Sequence, residues 1–429
     1  MARQRTDLAA ICRGIEQAGT IEAYVQSELR EHGFLVERRA TDEMSKRELA
    51  RYKKQLKEEA AEKRRLKAEA WQAYKTQNIV FLGEGVFWND AIDYDKWDLE
   101  NAESRAAENE LPPLDKPKQL ADALGLSISE LRRLAYHRDA ATSINYRRFT
   151  IPKRDGSDGA IWAPLPRLMK AQRWILRNVV ERLLVHGATH GFLPGRSTLS
   201  NAKVHTASRL VLKMDIKDFF PTVTFPRVKG IFRQAGYREQ IATLLALLCT
   251  EAPREIVDDG GKTMYVSLGP RCLPQGAPTS PALTNVICLK MDRRLTGLAK
   301  KLGWRYTRYA DDLTFSRVSS AKGNPNLGQL MGLTSRVVAD EGFAVHQDKT
   351  RVLRAGGRQT VTGLVVNGDG SPRVPRKLRR QIRAAIHNVK QGKPFREGES
   401  RSTIAGYIAY VAMTDRDLGR KLLAELNAQ

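Results

Sequence analysis

An α+β fold with a mainly helical N-terminal extension is what the sequence predicts, on three observations. Residues 1–110 carry helical periodicity, with one long charged stretch from Thr41 to about Lys75 that lacks Gly and Pro. From Tyr146 onward, short β-prone runs alternate with amphipathic helices, the pattern of a mixed fold. Residues 371–429 return to helix and hold 13 Lys/Arg against 5 Asp/Glu, a net charge of +8. The chain has 429 residues and 41% hydrophobic content, enough for two or three domains with a sizeable core.

The elements follow in order. The Thr41–Lys75 stretch predicts a single exposed helix laced by opposite charges at i,i+4 spacing, a solvated spacer. Ile79–Phe87 is apolar with two glycines and predicts a turn or short strand. Leu111-Pro112-Pro113-Leu114 marks a boundary. Leu120–Ala135 predicts two short helices broken at Gly125-Leu126-Ser127, with Ser127 or Ser129 as a cap. Plain packing is the expected role of this pair, ahead of DNA reading. Phe149–Pro152 predicts a strand, Asp155–Gly159 a turn, and Leu168–Leu184 an amphipathic helix. Leu210–Ile216 is an apolar strand ending in acid. Arg227–Ala235, Gln240–Leu248, Ser280–Lys301 and Gly328–Asp340 predict helices, with short strands near Ala344 and over Val361–Val366.

Composition narrows the partners. Lys and Arg outnumber Asp and Glu by 72 to 48, a net charge of +24. A chain that basic is expected to bind a polyanion, nucleic acid foremost, with an affinity that falls as salt rises. The four cysteines, Cys12, Cys249, Cys272 and Cys288, form no Cys-x-x-Cys pair and argue against a zinc site. Met1–Asp7 does not resemble a signal peptide, and no apolar run reaches membrane-spanning length. A reducing cytoplasm without membrane attachment is the expected location.

Tyr309-Ala310-Asp311-Asp312 lies between two β-prone runs, Trp304–Arg308 and Leu313–Ser316. Two adjacent carboxylates at a hairpin tip repel one another and raise each other's pKa. Divalent cations relieve that repulsion and make such a site competent for phosphoryl transfer. Two metals about 3.5–4 Å apart need carboxylates from more than one strand. Asp215, at the end of Val211-Leu212-Lys213-Met214, supplies the third, while Asp218 is structural or peripheral because Phe219-Phe220-Pro221 turns the chain. Phe220 beneath a sugar pocket would exclude a 2′-hydroxyl and so select deoxynucleotides. In Leu273-Pro274-Gln275-Gly276-Ala277-Pro278-Thr279-Ser280-Pro281, Gln275 is expected to contact the incoming nucleotide and Gly276 to permit close backbone approach. Ser280 and Pro281 are placed to start the helix that follows. Lys349 is a candidate general acid or charge neutraliser at the pyrophosphate, and Lys153 and Arg154 form a turn placed to hold the triphosphate.

In this order the motifs resemble those of reverse transcriptases. Asn201-Ala202-Lys203-Val204-His205 and Val361-Thr362-Gly363 are similar to two elements of the retron enzymes in particular. His190-Gly191-Phe192 and Gly195-Arg196-Ser197 also look like bacterial members. The resemblance covers residues about 111–429, and Phe81-Leu82-Gly83 extends it loosely into the N-terminal part. One departure stands out: Gly159 replaces an arginine that many relatives place about five residues before the proline matching Pro164. That shifts weight to Lys153 and Arg154 as triphosphate contacts.

The resemblance implies a right hand: fingers and palm over 111–368, with an antiparallel sheet in the palm, and a basic helical thumb over 369–429. It implies two Mg2+ ions on Asp215, Asp311 and Asp312, and deoxynucleoside triphosphates as substrates. It implies a cognate structured non-coding RNA, primed from a guanosine 2′-hydroxyl to give branched RNA–DNA (msDNA), and an effector or toxin partner in anti-phage defence. Asn201, His205, Val361, Thr362 and Gly363 are expected to serve RNA binding. So are Arg376, Lys377, Arg379, Arg380 and Arg383, which fall mostly on one side of a helix from Pro375, since structured RNA is read by shape and phosphates. Group II intron and diversity-generating reverse transcriptases stay open as alternatives, as does a non-catalytic RNA-binding scaffold or antitoxin.

Overall fold

The computed structural model describes residues 7–42, 44–86, 101–137, 145–152, 158–318, 325–368 and 370–428. Three N-terminal helices, α1 (Leu8–Ala18), α2 (Ile21–Glu31) and α3 (Lys46–Gln77), form a unit with its own core of Ile15, Val25, Leu29, Leu66 and Ala70. Each start has its cap. Asp7 accepts from the Ala9 and Ala10 amides, Thr20 from Ala23, and Ser45 with Glu48 makes a reciprocal capping box. The long α3 is not purely solvated: Leu66, Ala70 and Ala73 are buried, and Glu59 is 6% exposed beneath Arg38, which donates to it at 2.7 and 2.9 Å.

Next come α4 (Ala102–Glu108), α5 (Pro117–Leu124) and α6 (Ile128–Ala135). Gly125 ends α5 at φ +66, and Ser127 caps α6 with Glu130. Both helices turn their apolar faces into the main core, the packing role expected of them. A hairpin of β1 (Tyr146–Pro152) and β2 (Asp158–Pro164) leads to α7 (Pro166–Asn178). That helix is shorter than predicted, because the chain leaves it for a 3-10 turn at Val180–Arg182.

The palm follows. Its elements are α8 (Thr198–Val204), β3 (Ser208–Asp215), α9 (Phe225–Gln234), α10 (Glu239–Cys249), the β4 (Arg254–Asp259) and β5 (Lys262–Ser267) hairpin, α11 (Ser280–Ile287), α12 (Leu289–Lys301), β6 (Arg305–Tyr309), β7 (Asp312–Val318), α13 (Leu327–Asp340) and β8 (Arg351–Arg354). Four strands form one antiparallel sheet in the order β6-β7-β3-β8. Ser280–Lys301 was expected as one helix but divides at Cys288. The residues near Ala344 form no strand of their own; Val345 makes a single bridge to Ile216.

A two-residue hairpin of β9 (Thr360–Val361) and β10 (Leu364–Val365) hands over to three helices, α14 (Arg376–Lys390), α15 (Arg401–Thr414) and α16 (Arg416–Asn427). They share a second large core with α8 and β3: Ala202 and Val211 belong to the same apolar cluster as Val361, Ile382, Ile404 and Leu422. Among the described residues no helix is long and apolar enough to cross a membrane.

Candidate active site

Tyr309-Ala310-Asp311-Asp312 is the tight turn between β6 and β7. Tyr309 pairs with Asp312, and Ala310 takes the left-handed conformation at φ +56. The register of β3 on β7 then sets Asp215 directly opposite Asp312. Residues so opposed have Cα atoms about 4.5–5.5 Å apart. Strand pairing alone therefore gathers carboxylates that are far apart in sequence. Backbone bonds fix both segments: the Ile216 amide donates to the Asp311 carbonyl at 3.0 Å, and the His346 amide to the Asp215 carbonyl at 2.7 Å.

Two lysines flank the acids. Lys349, in a 3-10 turn at Gln347–Lys349, donates from Nζ to Asp215 Oδ1 at 2.9 Å. Lys213 lies 3.8 Å from Asp312 Oδ1. Sequence reasoning passed over Lys213, yet the signal was present. A strand alternates faces with period two, so Lys213 shares the face of Asp215.

Electrostatics mark this as a site that gains from cations. Burial raises the Asp311 carboxyl to about 6, with the Asp215 charge adding to the rise. Burial also raises Asp312, with Lys213 pulling the other way and Asp215 reinforcing the rise. The hydrogen bond to Asp215 raises Lys349, which keeps it an ammonium. Hard carboxylate oxygens held partly out of water suit Mg2+ or a similar ion. Among the described residues no three acidic, imidazole or thiol groups form a finished metal cage. The donor chemistry therefore fits a divalent ion, while Asp215 is engaged by Lys349.

Beneath the tip runs a buried network that the sequence did not advertise. Arg308 is fully buried and forms an ion pair with buried Asp292 at 2.8 Å. Its guanidinium also donates to the Ala310 carbonyl, to Asn285 Oδ1 and to Thr189 Oγ1, each at 3.1 Å. Tyr306 donates its hydroxyl to Asp292 at 2.7 Å. Gly191 completes the support: a Cβ there would stand 2.8 Å from the Ala310 amide, so only glycine fits under the turn.

On the nucleotide side, Gln275 has an exposed side chain, and its carbonyl accepts from the Trp162 amide of β2 at 2.7 Å. Gly276 sits at φ +121, where a Cβ would meet Ile161 and Trp162 at 2.8 and 2.9 Å. The close approach it permits is thus to β2. Ser280 does not cap α11; its hydroxyl donates to the Pro274 carbonyl at 2.8 Å and closes the loop. Phe220 is half-buried beside Phe219, just after Asp218, which is exposed at φ +47. Lys153 and Arg154 lie outside the described residues.

The two retron-like elements meet in space, but mostly inside the protein. Asn201 of α8 and His205 at its C-terminal end are fully buried. Thr307 donates to Asn201 Oδ1 at 2.5 Å, and the His205 ring bonds Thr307 and Ser316, both at 2.7 Å. Burial pushes His205 down to about 3, with Arg305 adding to the fall, so the ring is neutral. Val361 is buried in the core shared with α14, α15 and α16, and Thr362 donates to the Thr198 carbonyl of α8 at 2.9 Å. Gly363, at φ +84, faces Tyr410 of α15. Direct RNA contact through Asn201, His205 and Val361 is therefore corrected. Their desolvated side chains latch the back of the β6–β7 hairpin to α8 and to the core shared with α14, α15 and α16. The basic residues of α14 differ: Arg376, Lys377, Arg380 and Arg383 are exposed, and Arg379 is half-buried. His387 and Lys390 are also exposed and extend the same helical side.

The reverse transcriptase (RNA-dependent DNA polymerase) family matches residues 151–384, more than half of the chain. The retron Mx162 reverse transcriptase of Myxococcus xanthus is 50% identical over 424 residues, 96% of this chain and 87% of that protein. The chain belongs to the retron reverse transcriptases. The retron Mx65 enzyme of the same organism is 41% identical, covering 76% of this chain and 74% of that protein. The retron Ec86 enzyme of Escherichia coli is 30% identical, covering 74% and 90%. This reverse transcriptase is an RNA-directed DNA polymerase with a right-hand fold and a helical N-terminal part, and its family depends on divalent metal.

Proposed function

We propose that the enzyme reverse-transcribes a cognate structured non-coding RNA from a guanosine 2′-hydroxyl, giving branched RNA–DNA, and acts with an effector protein in anti-phage defence. The observation that carries the catalytic half is the register pairing of Asp215 with Asp312 at the tip that also bears Asp311. Asp215, Asp311 and Asp312 would hold two Mg2+ ions. Bound there, the ions supply charge neutralisation and an activated primer oxygen. The primer oxygen attacks the α-phosphorus of a deoxynucleoside triphosphate, and pyrophosphate leaves. Lys349, kept protonated, meets developing negative charge on the leaving group or yields it a proton. Gln275 and Gly276, Phe220 as the sugar gate, and Lys153 with Arg154 complete the nucleotide pocket in this proposal. Residues 1–110 form an extension, 111–368 fingers and palm, and 369–429 the thumb, where α14 reads the RNA.

The test has two arms. Purified enzyme with Mg2+ should incorporate dTTP on poly(rA)·oligo(dT), and Asp311→Asn or Asp312→Asn should abolish incorporation while leaving RNA affinity within about twofold. Near wild-type synthesis by either variant removes the metal assignment. Sequencing of nucleic acid that copurifies should recover a short branched RNA–DNA; a long intron RNA would assign the enzyme to a different class.

A further inference from the structure

The outer face of α7 bears a cationic groove that catalysis does not use. Its inner face is anchored in the core through Leu168, Ala171 and Ile175, and Gln172 donates to Tyr146 and the Leu248 carbonyl at 2.7 and 2.8 Å. The opposite face carries Lys170, Arg173 and Arg177, all exposed and spaced i, i+3, i+7, so they line one side of the helix. Together with Met169 and half-buried Trp174 they line a groove of about 490 Å³ that holds no acidic residue.

The charge pattern is informative because of its surroundings. Among the described residues no carboxylate pairs with any of these three cations. One turn earlier on α7, Arg167 is neutralised by Glu130 at 2.9 Å. On α3, Arg65 is held by Glu62 and Glu69 at 2.5 and 2.8 Å. Like charges at i,i+3 and i,i+4 destabilise a helix. Unlike Arg167 and Arg65, this row has no acidic partner among the described residues and lies beside half-buried Trp174.

We infer that the α7 groove binds RNA: its three cations seat consecutive phosphates, and the Trp174–Met169 floor takes a base or ribose. The row spans about 10 Å of helix axis, seven residues at about 1.5 Å each. Over that length one nucleic acid strand carries roughly three phosphates. Arginine forks suit phosphate bidentately, and an indole offers a stacking surface. The location is also apt. α7 directly follows β2, whose Trp162 amide is held by the Gln275 carbonyl, so RNA in the groove lies one strand from the nucleotide-side loop. The inference rests on the proposed use of a structured RNA and adds a second contact surface to α14.

The experiment compares the full-length enzyme with the triple variant Lys170→Gln, Arg173→Gln, Arg177→Gln. A charge-matched control carries Lys53→Gln, Lys54→Gln and Lys57→Gln on α3. The probe is a fluorescein-labelled oligouridylate about twenty nucleotides long, titrated by anisotropy from about 50 to about 200 mM salt. The α7 variant should lower the slope of log affinity against log salt by about 2, at about 0.7 per lost phosphate contact on a single strand. The control should keep the wild-type slope, and both should incorporate dTTP at saturating poly(rA)·oligo(dT) within about twofold of wild type. An unchanged slope in the α7 variant, or an equal fall in the control, overturns the proposal. Loss of binding to labelled polyglutamate with the RNA slope intact also overturns it and assigns the groove to an acidic protein. Failure of the wild type on poly(rA)·oligo(dT) would sink the polymerase reading instead, independently of the slopes.

Discussion

Asp311 is held against its own charge. Its folded pKa of about 6 lies above the ordinary aspartate value, so its stabilising contribution is present below about pH 4 and is lost as pH rises through 6. In chelator, Asp311→Asn should therefore be more stable than wild type at pH 8, by about 1 kcal/mol after solvent screening, and not at pH 4. Thermal melts at the two pH values decide it, and equal differences at both would contradict the burial argument. With limiting metal, DNA synthesis should rise with pH through about 6, and excess metal should move that rise to lower pH. Arg308 acts one layer deeper. Arg308→Lys keeps the charge but cannot reach Asp292, Asn285, Thr189 and the Ala310 carbonyl together. It should fold, with turnover at least about tenfold lower and a largely unchanged KM for the nucleotide. Unchanged turnover in a folded variant would reduce Arg308 to plain packing. The gathering of the three aspartates and Lys349 was legible, because their residue types and order match the family's motifs. Lys213 and Arg308 were not, because a lysine or arginine in a strand reads as surface until the register shows what it faces.

At the scale of elements, α8 is a latch rather than an RNA reader. His205→Ala would leave the buried Ser316 hydroxyl without its imidazole partner and Thr307 with Asn201 alone, at a cost of about 1–3 kcal/mol. It should lower the melting temperature and impair synthesis on poly(rA)·oligo(dT) as much as on any structured RNA. Lost RNA affinity with an unchanged melt would restore a direct contact. Reversing Arg376, Arg380 and Arg383 on exposed α14 should act the other way, abolishing product from the cognate RNA more than synthesis on a generic template. Equal loss on both templates would remove the recognition role. Most helices and the central strands were readable from periodicity. The break at Cys288 was not, since no glycine or proline marks it and the apolar pattern runs on. The β4–β5 hairpin was missed although Asp259-Gly260-Gly261-Lys262 offered a turn signal, with both glycines at positive φ. Ile256, Val257, Met264 and Val266 are all exposed there, so no one-sided alternation announces the strands.

Among the described residues, apolar contacts divide into three clusters, and the N-terminal one meets the rest where α3 packs on α6 and Lys116 pairs with Glu16. Ile79 and Leu82 already belong to the main core, so a chain starting at residue 78 keeps that core whole. Such a truncation should incorporate dTTP on poly(rA)·oligo(dT) within about threefold of the intact enzyme. A far larger loss would show that the extension supports the palm. The other two clusters are not separable, because β3 serves both. Val211 points into the core shared with α14, α15 and α16, while Leu212 and Met214 point into the main core. The strand is a party wall between the hand's grip and its chemistry, and Asp215 stands at its end. α14 reaches that wall through the apolar cluster in which Ile382, Ala385 and Ile386 pack with Val211. If α14 grips the RNA as proposed, seating of the strand would bear on the posture of the carboxylate, so that a poorly gripped partner would meet a misaligned acid before any base is copied.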